Sequence, residues 1–195
     1  MRVLLFSGHM VDRPGRAAPR FPASKVNAAD RAIEAEIQRL CTGTKGAAVT
    51  SGASGGDLLF ARTCLQRGLP LEIYLPFDSE RFIETSVAPG GSEWVELFKV
   101  VTTDANTTLH VLPAAGGDDD ESNAYARCNR AMLSRAYALA NGPVDLICVW
   151  DGRTGDGPGG TDDMVQAVRG KGGRVHWIDT RALPDSGDEP LSGQV

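Results

Sequence analysis

No stretch of this chain is long and apolar enough for a membrane span or a secretion signal. The N-terminal apolar run covers only Val3 to Phe6 before Ser7-Gly8-His9, whereas a span needs about 20 such residues. C-x-x-C pairs are missing, and Cys41, Cys64, Cys128 and Cys148 have no histidine at a metal-ligand spacing. They read as reduced core residues, and neither a metal nor a cofactor is expected. There is no Walker lysine, no H-E-x-x-H pair and no Ser-His-Asp order with supporting spacing. P-loop phosphotransfer, zincin-type hydrolysis and triad acyl transfer therefore drop out as first readings. Positive charge is also short. A net charge of −5 argues against general nucleic-acid binding, which needs a broad cationic surface to displace phosphate counterions. The expectation is a cytoplasmic protein with no membrane partner.

What the chain has in excess is glycine, 23 of 195 residues. Its 42% hydrophobic and 23% charged residues are ordinary for a globular domain. A chain this long buries about two-thirds of the surface it exposes when unfolded, so one self-sufficient core is expected. The stretch Arg2-Val-Leu-Leu-Phe-Ser7 is apolar without alternation, as in a strand buried on both faces of a parallel sheet. Further strands are expected at 46–51, 71–75, 144–150 and 174–178. Apolar spacing places helices at 27–40, 58–67, 123–140 and 162–169, with stops at Gly68 and at Gly142-Pro143. Residues 78–101 are less regular, with a helix around 78–86, a Pro-Gly-Gly break at 89–91 and a short segment from Trp94 to Val101.

Strands and helices that alternate in this way imply right-handed βαβ units. The fold class is α/β and Rossmann-like, a mostly parallel sheet with helices on both faces, over residues 1–180. Residues 181–195, rich in proline, glycine and acid, read as a flexible tail or linker. In such sheets ligands sit outside the carboxyl ends of the strands, where the strand order reverses.

Three glycine-rich loops leave strands at that end. In the first, Ser7-Gly8-His9 leads into a segment with Arg13, Arg16, Arg20 and Lys25 against the single acid Asp12. Guanidinium groups beside a glycine suit a phosphate. The second loop is Ser51-Gly52-Ala53-Ser54-Gly55-Gly56-Asp57, whose amides and following helix N-terminus suit an anion, with Asp57 as helix cap or ribose partner. The third runs from Asp151 to Asp162, where Gly159 and Gly160 permit close backbone approach and Thr161 offers a hydroxyl. Arg130, with Arg127, lies on the helix before the fourth expected strand, within possible reach of a ligand. Trp150, at that strand's end, could stack on a base. The run Asp118-Asp119-Asp120-Glu121 suits a helix N-terminus better than a metal.

Phe6-Ser-Gly-His9, Ser51-Gly-Ala-Ser-Gly-Gly-Asp57 and Gly159-Gly-Thr161 together resemble a Rossmann-like superfamily. It includes the LOG-type phosphoribohydrolases, the DNA-processing protein DprA and the SLOG nucleotide-sensing domains, and the resemblance runs from about Val3 to Asp179. It implies binding of a nucleotide or nucleotide-derived signal, as in bacterial defence and stress sensors, with a homo-oligomer or a fused or partner effector as the recipient. LOG enzymes carry P-G-G-x-G-T-x-x-E with a catalytic glutamate, whereas Pro158-Gly159-Gly160 here runs straight into Thr161-Asp162-Asp163-Met164. Sensing is therefore the first expectation. The alternative is an N-glycosidase or ribosyltransferase acting through a carboxylate, with Asp57 and Asp162 as candidates.

Overall fold

Strand β1 (Arg2–Gly8) is flanked on both sides and buries Val3, Leu4, Leu5 and Phe6 completely. Because side chains alternate across a strand, Leu4 and Phe6 enter one apolar cluster and Val3 and Leu5 the other. The other strands are β2 (Gly46–Thr50), β3 (Leu71–Leu75), β4 (Thr107–Val111), β5 (Asp145–Trp150) and β6 (Arg174–Asp179). They form a single sheet in the order β4-β3-β2-β1-β5-β6, and every pairing is parallel. The computed structural model describes residues 1–42, 45–113, 121–154 and 159–185, without the side chains of 121 and 122. The acidic run at 118–120, residues 155–158 of the third loop and the tail beyond 185 lie outside them.

Helices cover both faces. On one side α1 (Val26–Cys41), α2 (Gly56–Gln66) and α4 (Ser92–Thr103) pack in a row, and on the other α5 (Glu121–Leu139) and α6 (Thr161–Gly170) lie over the middle and the β6 side. The architecture is thus α/β and Rossmann-like, with a sheet that is wholly rather than mostly parallel. Among the described residues no helix is long and apolar enough to cross a membrane.

Two segments differ from expectation. The helix foreseen around 78–86 is a single turn, α3 (Ser79–Phe82), opened by the Asp78 carboxylate accepting from the Arg81 N–H at 2.9 Å. It widens into a π-helical turn (Ile83–Val87) and then a 3₁₀ turn (Ala88–Gly90). The short segment near Trp94 is the full helix α4, burying Trp94, Leu97, Phe98 and Val101. That spacing is the 3.6-residue signature. Strand β4 was not expected, because its apolar residues point outward: Leu109 is 36% and Val111 47% exposed. A sheet edge without a buried face carries no hydrophobic pattern to read.

The chain reaches β5 only after adding β2, β3 and β4 on one side of β1, so the strand order reverses between β1 and β5. That reversal opens a crevice beyond the carboxyl ends of the two strands.

Candidate functional site

Strand β1 delivers Ser7, Gly8 and His9 to the crevice, and β5 delivers Trp150 and Asp151. The two ends are locked by the His9 N–H donating to the Val149 carbonyl at 2.9 Å. Beyond His9 the chain folds back on itself around Asp12, whose Oδ2 accepts the N–H groups of Arg20 and Phe21 at 2.8 Å each. This closure brings the Arg20 guanidinium Nε to 3.2 Å from Asp151 Oδ2 and Nη2 to 3.3 Å from the Thr154 carbonyl. Arg16 stays nearer its own loop, donating to the Ala18 carbonyl at 3.1 Å and lying 3.5 Å from Asp12 Oδ1.

The second loop is stitched to the first. The Val11 N–H donates to the Ser54 carbonyl at 3.1 Å, the Gly56 N–H to the His9 carbonyl at 3.3 Å, and the Ser54 N–H to the Ser86 carbonyl at 2.9 Å. Gly55 has φ +99°, and a Cβ there would lie 2.6 Å from the Val11 nitrogen. Several amides that could have cradled an anion at the start of α2 are therefore committed to protein acceptors. The Ala53 N–H faces the Asp57 carboxylate, which also accepts from Thr50 Oγ1 at 3.1 Å.

The third loop is anchored on α5. The Gly159 carbonyl accepts from Asn129 Nδ2 at 2.7 Å, and its N–H donates to Asp163 Oδ2 at 2.7 Å. Gly159 has φ +91°, and a notional Cβ there would lie 2.7 Å from the Ala126 nitrogen, so loop and helix are in close contact at this point. Extended backbone at Gly160 then opens α6. Thr161 Oγ1 accepts from Ser7 Oγ at 3.3 Å, tying the helix start to the end of β1.

These elements enclose a cavity of about 280 Å³. Of the expected site residues, Ser7, Gly8, His9, Arg16, Asp57, Gly159, Gly160 and Thr161 line it. Asp151 stands behind His9 and Arg20. Ser54 is fully buried in the inter-loop seam, and Gly52, Gly55 and Gly56 pack against Phe98, Val11 and Phe6. Arg13 and Arg130 are exposed away from the cavity, and Asp162 receives Gln166 Nε2 at 3.5 Å along α6. Arg20 and Trp150, both expected near a ligand, line it too, together with groups not singled out as ligand contacts: Phe82, Ser86, Tyr125, Cys128 and Asn129. Ser86 belongs to the π-helical turn and meets the Tyr125 hydroxyl at 2.6 Å. Tyr125 and Asn129 sit one turn apart on α5, a polar pair on an otherwise apolar face, and that pairing was the available signal.

Electrostatically the wall is uneven. Burial pushes the Asp151 carboxyl upward, but the Arg153 N–H, His9 and Arg20 outweigh it and hold the group at about 2. Burial lowers the His9 imidazole below its ordinary value against the pull of Asp151, which favours the neutral ring. Asp57 is the opposite case. Burial raises its carboxyl to about 7, against the opposing Thr50 and Ala53 hydrogen bonds. The Cys128 thiol is pushed up to about 12 by burial and by Asp57, so it is no nucleophile at neutral pH. One cavity thus combines a helix N-terminus and two guanidinium groups with aromatic walls and one buried carboxyl of near-neutral pKa. No protein-family model and no curated protein matches this chain.

Proposed function

We propose that the cavity binds a nucleotide or nucleotide derivative and that the protein acts as a ligand sensor of the SLOG kind. The observation that carries this reading is the gathering, at the β1/β5 reversal, of the α6 N-terminus at Gly160 and Thr161 with Arg16 and Arg20, beside walls from Phe6, Phe82 and Trp150. A helix N-terminus and guanidinium groups suit a phosphate, and flat apolar walls suit a base. The volume is at the small end of ligand pockets, so a mononucleotide-sized ligand fits better than a dinucleotide. Native mass spectrometry of the purified protein for a co-purifying nucleotide, followed by calorimetric titration with mononucleotides, tests it. Submillimolar binding of at least one nucleotide is expected, and no binding across the panel would remove the proposal.

One observation favours a second reading, an N-glycosidase. Asp57 lines the cavity with a carboxyl near 7, where a group can serve as a proton donor or acceptor. Chromatographic detection of free base after incubation with mononucleotides separates the two. Release of many equivalents of base, lost in Asp57→Asn, decides for the enzyme, and no more than trace release decides for the sensor.

A further inference from the structure

Resting on that nucleotide-binding reading, we propose that Asp57 receives the N–H edge of the ligand's base, so that the cavity selects nucleotides whose base carries an exocyclic amine. Asp57 stands in the first turn of α2, only 6% exposed, yet it is part of the cavity wall. Two protein donors reach it, the Thr50 hydroxyl and the Ala53 N–H, and among the described residues no cation pairs with it. An ionised carboxylate has about four acceptor sites. Roughly half its acceptor capacity is therefore unmet by the protein, and a buried charge left so is costly.

The polar groups that α5 and the π-helical turn bring to this part of the wall are satisfied elsewhere. Ser86 and Tyr125 hydrogen-bond each other at 2.6 Å, and the Cys128 thiol donates to the Tyr74 carbonyl at 3.3 Å. Ser51 adds a hydroxyl that can donate or accept, whereas ionised Asp57 only accepts and so demands donors. A phosphate would be repelled there, and it has Arg16, Arg20 and the α6 N-terminus to meet instead. The surroundings favour a base over a sugar: the Phe6 ring edge lies against Gly56, next to Asp57, and Phe82, Cys128 and Met132 complete an apolar wall fit for a ring face. An exocyclic amine at the ring's edge supplies N–H donors and no acceptor in return.

Ionisation links to this contact, because donors favour the carboxylate form. The other titratable groups around the cavity are the Cys128 thiol, held protonated to about 12, the Tyr125 hydroxyl paired with Ser86, the His9 imidazole lowered by burial, and the Arg16 and Arg20 guanidinium groups. A nucleotide's phosphate also exchanges protons. Comparing bases that differ only in the amine, on the same ribose phosphate, cancels these contributions.

The test is a calorimetric panel of GMP with IMP and AMP with purine riboside 5′-monophosphate, alongside ribose 5-phosphate, at about pH 8 where Asp57 is ionised. At least one aminated member binds wild type about tenfold or more tightly than its deamino partner, and in Asp57→Asn the gap falls to within about twofold. Ribose 5-phosphate, which lacks a base, binds both proteins alike. A second readout needs no variant: repeated at about pH 7 in buffers of different ionisation enthalpy, the preferred aminated nucleotide releases more protons than its partner. Equal affinities within both pairs would overturn the assignment, as would discrimination that survives Asp57→Asn. A loss of ribose 5-phosphate binding in the variant as large as that of the nucleotides would move the contact to the sugar and overturn it too. If ribose 5-phosphate binds but neither pair is discriminated, only this inference fails. If ribose 5-phosphate and every nucleotide fail to bind, the nucleotide reading fails with it.

Discussion

His9 Nε2 lies 3.0 Å from Asp151 Oδ1, across the reversal of strand order and 142 residues away in sequence. The Asp151 backbone N–H also reaches His9 Nε2, at 3.2 Å, so Asp151 meets this ring nitrogen with both its carboxylate and its amide. Arg20 holds the other carboxylate oxygen, so one side chain orients both a ring and a guanidinium group that line the cavity.

Replacing Asp151 with asparagine removes that charge while keeping the shape. The carboxyl is held at about 2, below its unfolded value near 4, so it adds stability that is fully present above about pH 4 and lost as pH falls toward 2. Asp151→Asn is expected to lower unfolding free energy at neutral pH by about 2 kcal/mol. The gap between variant and wild type should close as urea melts are moved from about pH 5 to about pH 2.5. A constant gap over that range would mean that packing, and not charge, makes the contribution.

Asp57 runs the other way. Its carboxyl is raised to about 7, so the folded protein binds this proton more tightly than the unfolded chain does. Stability from this group is therefore greatest below about pH 4 and declines through the window from about 4 to 7, by on the order of 4 kcal/mol at most. His9, lowered by burial, opposes that slope as pH rises toward the ordinary imidazole value, which is why the difference from Asp57→Asn is the quantity to follow. Relative to wild type, the variant should gain stability steadily from about pH 4 to 8 in chemical denaturation, and a flat difference would show that Asp57 does not titrate in this window.

Residues that are buried on both faces were legible in the sequence, because burial writes itself as apolar runs: β1, β2, β3 and β5 fall where Val3–Phe6, Ala47–Val49, Leu71–Leu75 and Leu146–Trp150 cluster. Strand β4 was not, since Leu109 and Val111 point outward and it is held by backbone pairing to β3 and by His110, which stacks on Tyr74 and meets Glu72 Oε2 at 3.1 Å. The π-helical turn was hidden for a different reason, because its backbone path answers to tertiary bonds such as Ser86 with Tyr125 and Ser54. For the site, the loops at strand ends were readable, but the division of labour within them was not. Ser54, Gly55 and Gly56 look like an anion cradle in sequence, and only the fold shows their groups turned onto His9, Val11 and Ser86. Tyr125 and Cys128 read as core residues of α5 because a cavity wall and a core have the same periodicity.

The two positive-φ glycines of the first and second loops should respond differently to alanine. At Gly55, φ is +99° and the new Cβ would sit 2.6 Å from the Val11 nitrogen and 3.0 Å from the His9 carbonyl oxygen. At Gly15, φ is +79° with nothing within 4 Å. Gly15→Ala carries only the left-handed backbone cost of about 1 kcal/mol, and Gly55→Ala adds the displacement of the seam between the loops, for about 3 kcal/mol or more. Thermal melts of both variants measure the contrast, and equal losses would mean that the seam yields without resistance.

The arginines of the first loop separate by position. Arg16 and Arg20 line the cavity, whereas Arg13 is exposed outside it, although all three belong to the same basic stretch. If the anionic end of a nucleotide lies against the α6 N-terminus, a guanidinium that reaches it forms a charge-assisted hydrogen bond worth roughly 1.5–3 kcal/mol. Arg13 contributes only a screened, long-range attraction, which fades beyond about 8 Å at physiological ionic strength. Arg16→Ala is the cleaner probe, because Arg20 also holds Asp151 and its loss disturbs His9 as well. Calorimetric titration with the best-binding mononucleotide should therefore show Arg16→Ala weakened by about tenfold or more, Arg20→Ala weakened at least as far, and Arg13→Ala within about twofold of wild type. The salt dependence of affinity should flatten in the first two and persist in the third. An Arg13→Ala loss matching that of Arg16→Ala would place the phosphate outside the cavity, on the open face of the loop.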